Sequence, residues 1–268
     1  MNRRDFLKLT SAGGIVSLFG RDAFSAALGA DGKRKTIVFG GSAFALGFAL
    51  AHSEDVLVLE RGMHLAPEFA CTCGPTVAGE AKTPLGRELL AKLAESHILV
   101  DGVLELPPLA DFLSVFFADH GGKAFMNVEL AAVERASDGW SLRTHGVGDG
   151  FLDFSAGRFL DTTDTGWRDL GADAVTGKRF GGIAADGYFT VDLPMDADWR
   201  TARLALYDAW EKTGKTPDEL LAEVNAMRCM YGGGRIVRRM KAGYEWVPSA
   251  QFPTLVEAFE EGLLWKSV

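Results

Sequence analysis

Two short apolar runs, a glycine-rich turn and an apolar helix mark the first part of the chain. Thr36 to Phe39 and Asp55 to Leu59 have the nearly continuous apolar character of buried parallel strands. Ala43 to Ala51 consists of small and apolar residues that favour a helix lying close on a sheet. With the turn that precedes this helix, the segment from Lys35 to Gly62 predicts a βαβ unit.

The turn between the first strand and the helix is Gly40, Gly41 and Ser42. Small side chains let its backbone amides face an anion, and a pyrophosphate there would meet the positive end of the helix dipole. Glu60 ends the second strand about twenty residues after Gly40, where a carboxylate can accept hydrogen bonds from both ribose hydroxyls of an adenosine. The fingerprint G-x-G-x-x-G is degenerate, since its positions hold Gly40, Ser42 and Ala45. The alternative is an ordinary βαβ unit whose glycines only make a tight turn.

The middle of the chain alternates a helix with strands. Pro107 and Pro108 precede an amphipathic helix over Leu109 to His120. Lys123 to Val133 alternates as a strand does, and Trp140 to Phe154 follows with similar alternation. A further strand is predicted over Arg158 to Thr162.

The last third predicts both strands and helices. Trp199, Leu206 and Trp210 recur at helical spacing and are interpreted as core residues. The predicted elements are irregular strands over Thr176 to Pro194, helices over Asp198 to Lys212 and Thr216 to Met230, a short strand over Arg235 to Met240 and a final helix over Thr254 to Leu264.

The motifs VLVLERG (56–62) and FLDTTDTG (159–166), taken with the GGS turn, resemble FAD-dependent oxidoreductases of the glutathione-reductase-like superfamily. The resemblance covers roughly Lys35 to Ala174. It implies an α/β fold: a Rossmann-type FAD-binding domain with a parallel sheet and a β-meander, plus a smaller, mostly helical C-terminal region. The predicted boundaries are 1–30 for a signal peptide, 31–175 for the FAD-binding domain and 176–268 for a substrate, cap or partner-binding region.

The resemblance implies FAD as the cofactor and a hydride transfer from a small organic substrate to the flavin. An NAD-binding site fits these motifs less well. Leu130 is expected to touch the adenine through backbone groups, and Asp161 to serve the turn rather than move a proton. No catalytic residue is identified. The predicted cofactor-binding residues are Gly40, Gly41, Ser42, Glu60, Arg61, Leu130, Thr163 and Asp164.

Relatives of this kind return from the substrate domain with a final glycine-containing segment that closes over the flavin. No clear counterpart stands before Val268. Either the flavin site is incomplete, or a second subunit supplies the missing wall. The alternative function is therefore a non-catalytic, flavoprotein-like subunit that supports a partner enzyme.

Residues outside the nucleotide motifs add three expectations. Arg3 and Arg4, followed by a weakly apolar stretch, resemble a twin-arginine export signal, which predicts a periplasmic or secreted protein. The alternative is a basic start to an exposed helix.

Cys71 and Cys73 are candidates for redox chemistry or for a covalent flavin bond. The alternatives are a local disulfide or two ordinary loop residues. His64 is a second candidate for the flavin end of the site.

The composition favours an enzyme domain and argues against a nucleic-acid-binding protein. The chain has 268 residues, 47% of them hydrophobic and 24% charged, as expected for an enzyme domain with a sizeable core. A net charge of −8 argues against nucleic-acid binding. No segment approaches the about 20 uninterrupted apolar residues that span a bilayer, and no histidine or further cysteine stands at a metal-ligand spacing near Cys71.

Overall fold

The computed structural model describes residues 33–52, 55–71, 76–146, 150–163, 174–180, 187–192, 199–212, 220–222, 238–239 and 243–266. None of the helices within these ranges is long and apolar enough to cross a membrane. In chain order the elements are β1 (Lys33–Phe39), α1 (Ala43–Ala51), β2 (Val56–Glu60), α2 (Pro67–Ala70), β3 (Thr76–Val77), α3 (Pro84–Glu95), β4 (Leu99–Val100), β5 (Val103–Leu104), α4 (Leu106–Asp119), β6 (Ala124–Met126), β7 (Val128–Ala136), β8 (Gly139–Gly146), β9 (Gly150–Asp161), β10 (Ala174–Phe180), β11 (Gly187–Asp192), α5 (Trp199–Lys212), β12 (Leu220–Ala222), β13 (Arg238–Arg239), β14 (Glu245–Trp246), a 3-10 turn (Ser249–Gln251) and α6 (Leu255–Leu263).

Five parallel strands form the centre of the structure, in the order β6-β2-β1-β9-β14. The chain first builds outward from β1 through β2 to β6, and then crosses to the other side of β1 to add β9 and β14. Strand β13 extends the edge in antiparallel fashion. The α/β fold with a mostly parallel sheet, predicted from the sequence, is confirmed.

Strand β9 joins the central sheet to a meander. Its first half pairs antiparallel with β8, which pairs antiparallel with β7, and its second half pairs parallel with β1. At Ser155 and Ala156 the strand has partners on both sides. The β-meander is therefore continuous with the sheet, as the sequence predicts.

The two faces of the central sheet are covered by different structures. On one face, Val38, Val58 and Leu160 pack against α1, α3, α4 and α6. On the other face, Ile37 and Leu59 pack against the meander, joined by Trp246 and by Leu206 of α5. Strands buried on both faces carry continuous apolar runs, which explains the sequence pattern in β1 and β2.

A segment late in the chain returns to the central sheet. Strand β14 pairs parallel with the carboxyl end of β9, with Trp246 opposite Asp161. Arg158 of β9 and Glu245 of β14 form an ion pair beside this pairing. Residues 243–266 thus pack on the central sheet, and Tyr244 and Trp246 also share a buried cluster with Leu206 of α5. The sequence could not show this because β14 has only two residues.

Helix α6 is fastened to the rest of the domain by a buried carboxylate. Oε1 of Glu260 accepts hydrogen bonds from the backbone amides of Lys82 and Thr83, at 2.6 and 2.5 Å. These amides precede α3, whose N-cap is Thr83. A carboxylate at this position satisfies donors that have no partner within the helix and interacts favourably with the helix dipole.

Helices α1 and α6 cross in direct backbone contact at two glycines. A Cβ atom at Gly47 would overlap the carbonyl oxygen of Phe259, and one at Gly262 would overlap that of Phe44. Neither glycine has the positive φ that would itself require the residue. Close approach of the two backbones is therefore what requires glycine at both positions.

Two predicted elements differ from the structure. The predicted helix over Thr216 to Met230 is wrong at Leu220–Ala222, which forms β12 and pairs antiparallel with β10. With β11 these strands make a separate three-stranded sheet, so the predicted C-terminal region holds strands as well as α5 and α6. The predicted single strand over Lys123 to Val133 is two strands, because Asn127 has a φ of 58° and turns the chain from the central sheet into the meander.

Substitution of Gly262 by alanine tests the helix crossing. Helix propensity alone predicts a gain of about 0.5–1 kcal/mol in the free energy of unfolding. We expect instead a loss of about 2–4 kcal/mol, because the added methyl group forces the two backbones apart. Urea unfolding measures the difference, and Glu257→Ala on the exposed side of α6 is the control. A stabilised Gly262→Ala protein would contradict the crossing.

Candidate functional site

The candidate site lies where the order of the parallel strands reverses. Strands β1 and β9 are neighbours, but the chain leaves β1 toward β2 on one side and β9 toward β14 on the other. The loops after such a pair diverge and leave a crevice at the carboxyl edge, which is where open α/β sheets bind ligands. The turn from Gly40 to Ser42 follows β1, and Thr162 and Thr163 follow β9.

The glycines of the turn are packed against neighbouring protein atoms. Gly40 has a φ of 96°, and a Cβ there would lie 2.9 Å from both Oγ1 of Thr162 and the amide nitrogen of Thr163. A Cβ at Gly41 would lie 2.8 Å from Cδ2 of Leu65 and 3.1 Å from Oε2 of Glu60. The fold itself requires glycine at Gly40, because of its positive φ and the neighbouring backbone, whereas a Cβ at Gly41 would meet side-chain atoms. Neither glycine by itself therefore indicates a ligand.

Glu60 joins the loops that follow β1 and β2. Its Oε2 accepts a hydrogen bond from the amide of Gly41 at 2.5 Å, and its Oε1 accepts one from the amide of Gly62 at 2.6 Å. The residue is only 6% exposed. Hydrogen bonds from backbone amides stabilise the ionised carboxylate and fix it at the carboxyl edge of the sheet.

The segment after β9 forms a compact turn against the same glycines. The Thr162 hydroxyl donates to the carbonyl oxygen of Gly40 at 2.6 Å. The buried Asp161 carboxylate accepts from the amide and the hydroxyl of Thr163, at 2.9 and 2.6 Å. Nε1 of Trp246 donates to the Thr163 carbonyl at 2.8 Å. Asp161 thus serves the turn, and β14 supports the turn from the far side.

The amino end of α1 carries a carboxylate from elsewhere in the chain. Oε1 of Glu68 accepts a hydrogen bond from the amide of Ala43, the first residue of α1, at 2.7 Å. The Ser42 hydroxyl caps the same helix by accepting from the amide of Ala45 at 3.1 Å. Two donors at this helix end therefore have protein acceptors.

The structure brings most of the predicted site residues together at the crevice, and the others lie at its edge or away from it. Arg61 is exposed and its Nε lies 3.8 Å from a carboxylate oxygen of Glu129. Leu130 is buried in the core between sheet and meander, so its side chain does not face the crevice. His64 is exposed. Asp164 lies outside the described residues, as does Cys73.

Cys71 directly follows α2 and is partly buried. Burial raises the pKa of its thiol above the ordinary value, and the carboxylates of Glu60 and Glu68 raise it further. A raised pKa keeps the thiol protonated near neutral pH and lowers its nucleophilicity. Across the ranges that the structure covers, no group of three or more histidine, cysteine or acidic residues could hold a metal ion.

The donor set fits the adenosine diphosphate part of a dinucleotide, with one competitor. A carboxylate has about four acceptor positions, so Glu60 can accept ribose hydroxyls while keeping its two backbone amides. The turn and the amino end of α1 lie beside it, where a pyrophosphate would be bound. Glu68 is the competitor, because its negative charge holds one of the amides that a phosphate would use.

Sequence reasoning missed Glu68, Thr162 and Trp246. The Ala-Pro-Glu segment around Glu68 carries a helix-start pattern, since Pro67 stands at the first position of α2. That pattern predicts the helix but not its contact with a residue 25 positions earlier. Trp246 lies 83 positions from Thr163, and its pairing depends on the return of the chain.

No family model matches the chain, and comparison with curated proteins finds no match. Among solved structures, glycine oxidase from Geobacillus kaustophilus is 13% identical with a TM-score of 0.48, covering 87% of this chain and 93% of that one. A geranylgeranyl bacteriochlorophyll reductase-like protein from Thermoplasma acidophilum is 14% identical with a TM-score of 0.45, covering 86% and 76%.

Bacillithiol disulfide reductase from Staphylococcus aureus is 12% identical with a TM-score of 0.36, covering 48% of this chain and 38% of that one. This chain thus spans well under half of that enzyme's length. All three likenesses are weak in sequence identity and TM-score, so they carry no statement about the function of this chain.

Replacement of Glu60 by alanine tests the bridge between the two loops. We expect a loss of about 2–5 kcal/mol in the free energy of unfolding, because two backbone amides lose a charged acceptor. Glu60→Gln should lose less, since its carbonyl oxygen still accepts from one amide. Thermal or urea unfolding measures both, with the exposed Glu95→Gln as control. Equal stability of Glu60→Ala and the control would contradict the bridge.

The alkylation rate of Cys71 tests the electrostatics of the crevice. In a protein carrying Cys73→Ser and Cys229→Ser, Cys71 is the remaining thiol. We expect its iodoacetamide reaction to rise with pH through a midpoint above that of an ordinary cysteine, because the thiolate is disfavoured. Glu68→Gln removes a negative charge and should move the midpoint to lower pH, whereas Glu95→Gln should not. An unchanged midpoint in Glu68→Gln would show that Glu68 does not act on the thiol.

Proposed function

We propose that this chain is an FAD-dependent oxidoreductase that binds the adenosine diphosphate part of the cofactor at the crevice between β1 and β9. The observation that carries the proposal is the reversal of strand order at this crevice, with Glu60 fixed at the end of β2. Flavin, when bound, supplies the ring that accepts a hydride. The residues of the chain position the cofactor.

Each part of the crevice has a task in this proposal. Glu60 accepts the ribose hydroxyls, and its charge disfavours a ribose 2′-phosphate. The turn from Gly40 to Ser42 and the amino end of α1 face the pyrophosphate. Thr162 and Thr163 close the crevice from the β9 side, supported by Trp246.

The meander supports flavin over a nicotinamide cofactor. The resemblance carried by the VLVLERG and FLDTTDTG motifs implies a β-meander on one face of the sheet, and β7, β8 and β9 form one. The second half of β9 then leads directly to the Asp161 turn. The order of these elements along the chain is what the resemblance to flavoproteins implies.

The small organic substrate, a second subunit and twin-arginine export stay predictions. The second subunit would supply a wall over the flavin, and the pairing of β14 with β9 lies at the edge of the sheet beside the crevice. Residues 1–30, which carry the predicted signal, lie outside the described residues.

Flavin content tests the proposed function. We expect the purified full chain to take up FAD and absorb near ~450 nm, and to release the flavin on denaturation. FMN lacks the adenosine that Glu60 would hold, so it should bind at least about tenfold more weakly. Glu60→Gln should reduce FAD affinity more than Glu95→Gln does.

The outcomes separate cofactor binding from catalysis. A colourless protein that fails to take up added FAD would overturn the proposal. Absorbance that stays with the denatured polypeptide would instead indicate a covalent bond and direct attention to Cys71, Cys73 and His64. Turnover with an artificial electron acceptor and a panel of small organic donors would then identify the substrate class.

A further inference from the structure

Glu68 occupies a position that a phosphate would use. Its Oε1 lies 2.7 Å from the amide nitrogen of Ala43, at the amino end of the nine-residue helix α1. The other donor with a protein acceptor at this end, the amide of Ala45, is held by the Ser42 hydroxyl. Ser42 is neutral, whereas Glu68 brings a negative charge into the region where a pyrophosphate would lie.

The backbone that carries Glu68 is anchored to the glycine turn. Ala66 is in the left-handed conformation with a φ of 49°, and its amide donates to the carbonyl oxygen of Gly41 at 2.6 Å. Leu65 packs on Gly41, and Phe69 is buried in the core. The backbone around Glu68 is thus held in place by Ala66 and Phe69, so the competition described below concerns the side chain of Glu68.

The Ala43 amide cannot serve both acceptors well. A phosphate oxygen placed on this amide would lie within a few ångströms of the Glu68 carboxylate, and two negative charges at that distance repel each other. Glu60 adds to the negative potential, since it lies on the amide of Gly41 in the same turn.

We propose that Glu68 is an internal competitor for the pyrophosphate: its carboxylate and a phosphate oxygen compete for the backbone amide of Ala43. This inference rests on the proposed function, because it assumes that the crevice binds a nucleotide diphosphate. It makes Glu68 a residue that lowers affinity for the phosphates and has no effect on the adenosine.

Three ligands distinguish this role from a structural one. Adenosine, ADP and FAD are titrated into the full-length protein and into Glu68→Gln and Glu68→Ala. We expect ADP and FAD to bind about tenfold more tightly to both variants, because one negative charge beside the phosphates is removed. Adenosine affinity should not change. Glu95→Gln removes an equal charge at an exposed position and should leave all three affinities as they are.

Thermal unfolding of the ligand-free proteins supplies the second measurement. Loss of the charged cap should lower the Tm of Glu68→Gln by about 1–3 °C, so stability and phosphate affinity should change in opposite directions. A residue with only a structural role would lower both. Weaker or unchanged binding of ADP and FAD by the Glu68 variants would overturn the inference while leaving FAD binding by the parent protein intact.

The competitor role of Glu68 can also hold while the proposal of FAD binding fails. If ADP binds and responds to Glu68→Gln but FAD does not bind at all, the competitor role stands and the flavin proposal fails. If none of the three ligands binds to any of the proteins, both proposals fail.

Discussion

The bridge that Glu60 makes between two loops is the constraint on which the candidate site depends. Strands β1 and β2 are neighbours, but the segments after them diverge, one into the turn at Gly41 and the other toward Gly62. A single buried carboxylate accepts an amide from each segment. Because the acceptor is charged and largely excluded from water, both segments are held at one distance from the edge of the sheet.

Carboxylates on backbone amides recur in this domain, each joining parts of the chain that are far apart in sequence. Glu260 holds the start of α3 to α6, and Glu68 holds α1 to α2. Each satisfies donors at or next to the start of a helix, where helices have no internal acceptors. The structure therefore places fixed negative charges at the starts of helices, where an external anion can also bind.

The elements defined by local signals could be predicted from the sequence. The apolar runs of β1 and β2, the small residues of α1 and the turn between them are short-range features, and the structure has them where the pattern predicts. The β-meander could be predicted from the alternation of apolar and polar residues and from the resemblance to flavoproteins. Glu60 could be placed at the edge because the strand before it ends there.

Contacts between distant segments could not be predicted. Glu260 lies 178 residues from Lys82, and the two-residue strand β14 carries too little pattern to indicate that the chain returns to the sheet. Gly47 and Gly262 look like weak points in two helices until the helices are seen to cross. Leu220–Ala222 is apolar enough for a helix, and only its pairing with β10 decides that it forms a strand.

The caps on α1 show why an acidic residue can stand at the amino end of this helix, where the proposed pyrophosphate would lie. When the first amides of a helix serve to bind a ligand, they have no acceptor within the protein in the absence of that ligand. This lowers the stability of the ligand-free protein. Glu68 supplies an acceptor from within the chain for the amide of Ala43. The same charge opposes the phosphates, and a ligand must then gain enough from the ribose, the remaining amides and its other contacts to displace it. In the proposed binding mode, the stability of the ligand-free domain and its affinity for the dinucleotide are coupled through one side chain.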